Sequence, residues 1–179
     1  TNKGIYCPQG KFYIDPWRPV DLAVITHGHA DHARWGMRKY LCHHFTKPIL
    51  HKRISEDIEC QSVEYGEIIN INGVKLSLHP AGHIIGSAQI RLEYKGYVSV
   101  ISGDYKVQDD GLSTPFELVK GNEFITESTF GLPIYNWLSP EQYAVQMQNW
   151  HTINHEQGKT SVFIGYSLGK AQRIMKALE

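Results

Sequence analysis

The strongest constraint on this chain is a dense group of metal-ligand side chains directly after a short apolar run. Residues 22–25 are wholly apolar and suit a buried strand. Four ligand-type side chains then fall within the next few positions: His27, His29, Asp31 and His32. Imidazole and carboxylate groups are common ligands of zinc and related ions. A polar turn with chance histidines would explain the segment less well, so the pattern predicts a metal site.

Two further ligand candidates follow predicted strands later in the chain. His83 comes just after the strand predicted up to residue 80, and Asp104 follows the one predicted over 97–102. Alone, such a histidine is more often an ordinary polar residue, and an aspartate after a glycine is more often a turn residue. Beside the first motif, both become candidate ligands, because two ions need about seven or eight protein ligands.

The remaining sequence predicts a β-rich first part and an α/β second part. Hairpins are expected over 4–14, around Asn72-Gly73 and around Lys95-Gly96. Residues 39–41 and 124–126 suit strands, and 48–52 are weakly helical. A helix is predicted from about 139 to 155, a strand over 161–165 and a helix over 168–178. Strand–helix–strand–helix indicates a parallel α/β unit, so the predicted fold class is α/β (α+β).

Composition adds weaker constraints on function and location. Lysine plus arginine and aspartate plus glutamate both number 18, so the formal net charge is zero. Nucleic-acid binding would therefore require bound metal ions or a local basic stripe. The three cysteines form no CxxC pair. This fits an intracellular protein with reduced cysteines better than a disulfide-linked secreted protein. No apolar run reaches membrane-spanning length, so a cytoplasmic location without membrane contact is expected.

These motifs, taken together, resemble those of a known family. Residues 26–32, Gly82-His83 and Gly103-Asp104 resemble the successive signature motifs of the metallo-β-lactamase superfamily. Residues 126–131 resemble the first motif of its β-CASP branch, which comprises nucleic-acid-processing nucleases. The blocks at 6–10, 15–21 and 165–173 are similar to those of the bacterial DNA-ligase-associated exonucleases.

The resemblance implies a fold and a ligand set. Residues 1–133 would form the N-terminal portion of a metallo-β-lactamase αββα sandwich, and 134–179 the start of an inserted parallel α/β (β-CASP) domain. Two divalent metal ions are implied, with Zn²⁺ favoured and Mn²⁺ as the alternative. One ion would be held by His27, His29 and His83 and the other by Asp31 and His32, with Asp104 bridging both. Asp15 would orient the ligand loop, and Glu127 would be the acidic motif residue near the second metal. The catalytic residues implied are Asp31, Asp104 and Glu127.

The resemblance also implies an activity. The expected function is a metal-dependent DNA exonuclease acting in DNA repair, which attacks phosphodiesters with a hydroxide activated by two metals. DNA is favoured over RNA as substrate, and a functional association with a DNA ligase is implied. The alternatives are an RNA-processing nuclease of the same branch and an inactive metal-binding scaffold. A thioester or small-ester hydrolase is disfavoured, because simple hydrolases lack the block at 126–131 and the α/β segment after it.

Two expectations concern substrate contacts and completeness. Lys106, Lys170 and Arg173 are candidate phosphate contacts, although solvated charges explain them equally well. The family's later motifs are missing, and none of the remaining histidines replaces them. His43 and His44 are expected in a polar loop. His51, His151 and His155 are expected at the surface, and His79 is expected near the ligands. The chain is therefore expected to be the N-terminal portion of a longer protein, with its second metal weakly held or absent.

Overall fold

The computed structural model describes all 179 residues, and the chain divides into two compact units, residues 1–127 and 128–179. The elements of the first unit are β1 (Ile5–Cys7), β2 (Phe12–Ile14), β3 (Leu22–Val24), β4 (Lys39–His43), α1 (Thr46–Arg53), β5 (Cys60–Val63), β6 (Ile69–Ile71), β7 (Val74–Pro80), β8 (Ala88–Tyr94), β9 (Tyr97–Ile101) and β10 (Glu123–Ile125). The second unit contains α2 (Pro140–Glu156) and α3 (Lys170–Leu178).

The first unit contains two five-stranded sheets that share one hydrophobic core. The first sheet has the order β1-β2-β3-β4-β5, with β1 and β2 antiparallel and the later pairs parallel. The second has the order β10-β9-β8-β7-β6, with only β9 and β10 parallel. Their facing side chains form the shared core: Phe12, Ile14, Val24, Leu41 and Val63 from the first sheet, and Leu76, Leu78, Ala88, Ile90 and Ile101 from the second.

Strand β3 is buried on both faces, which makes it a rigid support for the loop that follows. Val24 faces the core between the sheets. Ala23, followed by Ile25 just after the strand, packs into a second cluster, which Leu50 of α1 covers from outside. Because successive residues of a strand point to opposite faces, the continuous apolar run is what burial on both sides requires.

Most of the predicted elements are confirmed. The three hairpins form, and two of their turns have the positive φ angles of a type I′ turn: 51° and 85° at Asn72-Gly73, and 50° and 80° at Lys95-Gly96. The helix predicted from 139 is α2, whose N-cap Ser139 forms a capping box. The mixed α/β class is confirmed, while the αββα arrangement and the boundary between 133 and 134 stay predictions.

Two sequence-based expectations are wrong. Residues 161–165 form no strand, because an apolar run becomes a strand only when a neighbouring segment accepts its backbone hydrogen bonds, and none pairs with it here. His43 does not lie in a polar loop: β4 extends to it, and its side chain is fully buried against Tyr65. Strand β5, which pairs with β4, was not predicted from the sequence.

The second unit has little interior of its own. None of its side chains is buried, and its apolar contacts include Trp150 against Phe163, with ring centroids 5.2 Å apart. Gln148 on α2 donates a hydrogen bond to the backbone oxygen of Ala177 on α3. None of the helices in the chain has both the length and the apolar character needed to cross a bilayer.

Candidate metal centre

Four predicted ligands converge beyond the end of β3. His27 Nε2 lies 3.0 Å from His29 Nδ1, which lies 3.2 Å from His83 Nε2. Asp104 Oδ2 is 3.8 Å from His27 Nε2 and 3.5 Å from His83 Nε2. Two donors bound about 2.0–2.1 Å from a tetrahedral ion lie about 3.4 Å apart. The spacing of this first donor group is therefore close to what one tetrahedral ion requires, and its donor atoms all lie within 4.8 Å of one another.

A second donor group lies on the other side of Asp104. His32 Nε2 is 3.0 Å from Asp104 Oδ1, and one donor atom each from His32, Asp104 and Glu127 lie within 4.8 Å of one another. Asp31 Oδ2 is 3.7 Å from His32 Nε2, but its side chain is 73% exposed and stands outside both groups. Asp104 thus presents one oxygen to each group, and Glu127 lies in the second group, near which the sequence had placed it. The assignment of Asp31 as a ligand stays a prediction.

Asp15 connects the ligand loop to the sheet. Its carboxylate accepts hydrogen bonds from the Thr26 backbone N–H at 2.8 Å and from the Thr26 hydroxyl at 2.5 Å. The same carboxylate lies 2.7 Å from His32 Nδ1, which leaves His32 Nε2 directed at Asp104. The Asp15 backbone N–H donates to Val24 O in β3. This geometry is what a residue that orients a ligating imidazole must have.

Burial and hydrogen bonding favour the neutral form of His27. Its side chain is fully buried, and this desolvation, followed by the nearby His32, lowers its pKa well below the usual value. The Thr26 hydroxyl donates to Asp15 and lies 3.1 Å from His27 Nδ1, so it can accept the proton on that nitrogen. The lone pair of His27 Nε2 is then directed toward the other members of the first donor group.

His32 and Asp104 form an ion pair across the second donor group. Burial opposes the charge on His32, but the carboxylates of Asp104 and Asp15 raise its pKa to about 10. Burial likewise opposes the charge on Asp104, whose pKa is nevertheless lowered by His32, His27 and a hydrogen bond to Glu127. Asp104 Oδ1 is buried, and His32 Nε2 lies 3.0 Å from it. A buried carboxylate oxygen in that condition suits a cation.

Two glycines allow the loops to approach this closely. Gly103 has a φ of 55°, and a Cβ there would come within 2.6 Å of the Thr26 hydroxyl oxygen. Gly82 has a φ of 72°, and a Cβ there would come within 2.2 Å of the Lys106 carbonyl oxygen. The loop before Asp104 can therefore approach Thr26 only with glycine at position 103, and the loop before His83 can approach Lys106 only with glycine at position 82.

The predicted phosphate contacts are not gathered into one place. Lys106 Nζ is 3.1 Å from Asp110 Oδ2, so its charge is already paired within its own loop. In the second unit, Lys170 is exposed at the start of α3 with its ammonium 5.3 Å from the Tyr166 ring centre. Arg173 is half-buried on the same helix. A substrate role for Lys170 and Arg173 stays a prediction.

Sequence reasoning missed three residues that support the ligands. Thr26 lies inside the first motif without an assigned role. The Ser87 hydroxyl accepts a hydrogen bond from the His83 backbone N–H at 3.0 Å, and Arg53 donates to the Gly28 carbonyl within the ligand loop. Ser87 could have been anticipated, because a hydroxyl shortly after a glycine-containing turn often binds its backbone. Arg53 carried no local signal.

Comparison with known proteins gives several relatives, although no protein-family model matches the chain. The chain is 30% identical over 181 residues to a "Probable DNA ligase" of Opitutus terrae, covering 99% of this chain and 18% of that protein. It is 28% identical over 122 residues to an "Endoribonuclease ysh1" of Aspergillus fumigatus, covering 66% of this chain and 14% of that protein. It is 24% identical over 197 residues to "Cleavage and polyadenylation specificity factor subunit 3" of Dictyostelium discoideum, covering 89% and 25%.

The chain is also similar in fold to solved structures. A protein of unknown function from Enterococcus faecalis V583 superposes with a TM-score of 0.51 at 12% identity, over 74% of this chain and 39% of that one. At this identity, the likeness concerns the fold alone. The chain spans a quarter or less of the length of the curated relatives described above.

Proposed function

Because this chain belongs to the β-CASP branch of the metallo-β-lactamase superfamily, we propose that it forms the metal-binding part of a nuclease. One observation carries the proposal: the two oxygens of Asp104 face two separate donor groups, His27, His29 and His83 on one side and His32 with Glu127 on the other. A single carboxylate between two groups of imidazole and carboxylate side chains is an arrangement that suits a pair of divalent ions.

The donor chemistry supports this use and favours zinc in the first group. Three imidazoles and one carboxylate form a set that Zn²⁺ prefers, whereas one imidazole with two carboxylates also suits Mn²⁺. We assign His27, His29, His83 and Asp104 to one ion. His32, Asp104 and Glu127 are assigned to the other, with Asp31 as a further candidate from the rim. Divalent ions bound there would supply Lewis-acid polarisation of a phosphoryl oxygen and make hydroxide available near neutral pH.

The chain's own residues prepare the site for that chemistry. His27 is held neutral by burial, so it needs to release no proton before it can act as a ligand. Asp15 fixes the ring of His32, and Thr26 connects Asp15 to His27. Glu127 is exposed beside Asp104, so it is the carboxyl in the cluster that a substrate from solvent can reach.

We propose DNA as the substrate, exonucleolytic cleavage as the mode, and a role in DNA repair in functional association with a DNA ligase. The support is that the relative named as a probable DNA ligase aligns over 99% of this chain. RNA processing is the second candidate, because relatives named as endoribonucleases align over 66% of it. An inactive metal-binding scaffold is the non-enzymatic alternative. A cytoplasmic location stays a prediction.

A cleavage assay tests these proposals. The protein in its natural length would be incubated with end-labelled single- and double-stranded DNA and RNA in the presence of Zn²⁺ or Mn²⁺. We expect DNA to be shortened from an end, and we expect Asp104→Asn to abolish turnover while the fold is retained. Asp21→Asn is the matched control, because Asp21 is exposed and pairs with Arg38.

The outcomes separate the alternatives. Cleavage of RNA but not DNA would move the assignment to RNA processing. Failure to cleave any substrate would favour the scaffold. Near-normal turnover of Asp104→Asn would exclude the metal centre as the site of reaction.

A further inference from the structure

A cleft of about 390 Å³ lies directly beside the ligand loop in the first unit. Its walls include Trp17, Pro19, Ala30, Arg34, Trp35 and Arg53. Ala30 stands between His29 and Asp31, so the loop that carries candidate ligands also forms one wall of the cleft. The volume is near the lower end of the range of about 300–1,000 Å³ that small-molecule sites occupy. Of the residues named here, only Arg53 has a role at the metal centre, as the donor to the Gly28 carbonyl.

Two tryptophans present their indoles to solvent at the cleft. Trp17 is 51% exposed and Trp35 is 80% exposed. The Trp17 ring is fixed, because its indole N–H donates to the Asn2 backbone oxygen at 3.0 Å. Trp35 makes no hydrogen bond or ring contact. Large exposed aromatic surfaces beside a site are suited to stacking against a flat ligand, and every nucleobase offers such a face.

Two arginines add positive charge to the same walls. Arg34 Nε donates to the Asp31 backbone oxygen at 3.3 Å, and Arg53 donates to the Gly28 backbone oxygen, so both guanidinium groups are anchored to the ligand loop. Neither forms an ion pair, and no acidic side chain lines the cleft. A guanidinium carries five N–H donors, so each retains donors for a phosphate. This local positive charge offers what the neutral overall charge of the chain does not.

We propose that the cleft binds an unpaired base of a single-stranded nucleic acid, stacked against Trp35 and Trp17, with the adjoining phosphates contacted by Arg34 and Arg53. The inference rests on the proposed nuclease function and names a place where that substrate is held. Because Ala30 forms one wall, a strand held in the cleft lies beside the loop that carries the candidate ligands His29 and Asp31. The cleft lies wholly in the first unit and needs no residue of the second.

Binding without cleavage tests the cleft directly. The 179-residue chain would be titrated, in the presence of EDTA, against a fluorescein-labelled oligothymidylate and against an abasic oligonucleotide of the same length. The abasic strand keeps the sugars and phosphates and lacks the bases, so it cannot stack on the indoles. We expect Trp35→Ala to weaken binding of the oligothymidylate about ten- to hundredfold, the range found when a stacking aromatic residue is removed. Binding of the abasic strand should stay unchanged.

Two variants control for indirect effects. Trp35→Phe keeps a stacking ring and should retain most of the affinity for the oligothymidylate. Tyr97→Ala removes an aromatic side chain that is 54% exposed but lies at the start of β9, whereas Asp104 follows the end of that strand. It should bind both oligonucleotides as the wild type does.

The results separate this inference from the proposed function. The proposed base binding in the cleft would be refuted by any of three results: equal binding of the two oligonucleotides by the wild type, absence of binding to either, or unchanged binding by Trp35→Ala. If the natural-length protein cleaves nucleic acid while Trp35→Ala has no effect on binding, only the cleft is wrong. If Trp35→Ala weakens base-dependent binding but no nucleic acid is cleaved, the cleft stands and the nuclease proposal fails.

Discussion

His43 should make the stability of the first unit sensitive to mild acid. Its side chain lies in β4 with 0% exposure and stacks on Tyr65 with ring centroids 3.5 Å apart. Its Nδ1 accepts a hydrogen bond from the Phe45 backbone N–H at 3.3 Å, while its Nε2 is buried without a hydrogen bond. Burial first, and then the charge of His44, lower the His43 pKa to about 4. The Glu64 carboxylate, 3.8 Å from Nε2, acts in the opposite direction, but it is 65% exposed.

The sign of the effect follows from proton linkage. A histidine in an unfolded chain has a pKa near 6.5. Because the folded-state pKa is lower, the unfolded state binds more protons between these values, and the free energy of unfolding falls as the pH falls. A pKa difference of that size gives a loss of about 2 kcal/mol between pH 7 and pH 5, and about 3 kcal/mol over the whole range. The contribution is fully present above about pH 6.5.

The His43→Asn variant isolates this contribution. Asparagine keeps a side-chain acceptor for the Phe45 N–H, but it does not titrate and it loses the stack on Tyr65. Urea unfolding followed by circular dichroism, with EDTA present, would give the free energy of unfolding at pH 7 and pH 5. We expect the variant to be less stable at pH 7, but its loss on acidification should be smaller than the wild type's by about 2 kcal/mol.

A matched control is His44→Asn, because His44 is exposed and should leave most of the pH dependence in place. The same decrease in stability between pH 7 and pH 5 in the wild type and in His43→Asn would refute the reasoning.

Three further predictions concern the metal centre. Asp15→Asn should weaken Zn²⁺ binding about ten- to hundredfold in isothermal titration, because the ligand loop loses its orienting carboxylate; an equal loss in Asp21→Asn would contradict this. Gly103→Ala should lower the melting temperature far more than Gly96→Ala, since both have positive φ but only the first meets an atom, 2.6 Å from the new Cβ. Metal analysis of the 179-residue chain should find one firmly bound ion, and two ions at full stoichiometry would contradict the expected weakness of the second site.

The sequence predicted those features that depend on neighbouring residues. Burial on both faces of β3 follows from a continuous apolar run, and the turn at Asn72-Gly73 follows from two residues that tolerate positive φ. Features that depend on distant partners were missed. Strand β5 contains the polar Gln61 and Ser62 and forms because β4 accepts its register. His43 is buried because Tyr65 covers it, which no local pattern records.

In the candidate site, too, the features set by neighbouring residues were predicted and those set by distant partners were missed. Residues 27–32 predicted a metal site locally, and the ends of later predicted strands supplied His83 and Asp104 as further candidates. The approach of Glu127 to His32 and Asp104 could not be derived from spacing, because it depends on how the strand end at β10 meets that at β9. The parallel pairing of these strands carries the segment with Glu127 alongside the one with Asp104. The cleft at Trp35 was also hidden, since its walls come from three separate segments of the chain.

The two donor groups differ in how firmly their members are held, and this difference is the physical reason to expect unequal metal affinities. In the first group, His27 is fully buried and fixed by Thr26, and the His83 backbone is fixed by Ser87. In the second, Glu127 is exposed, and His32 is held as a cation by two carboxylates. An ion entering the second group must displace that proton, and this competition lowers its affinity at neutral pH. An ion entering the first group meets a neutral imidazole at His27.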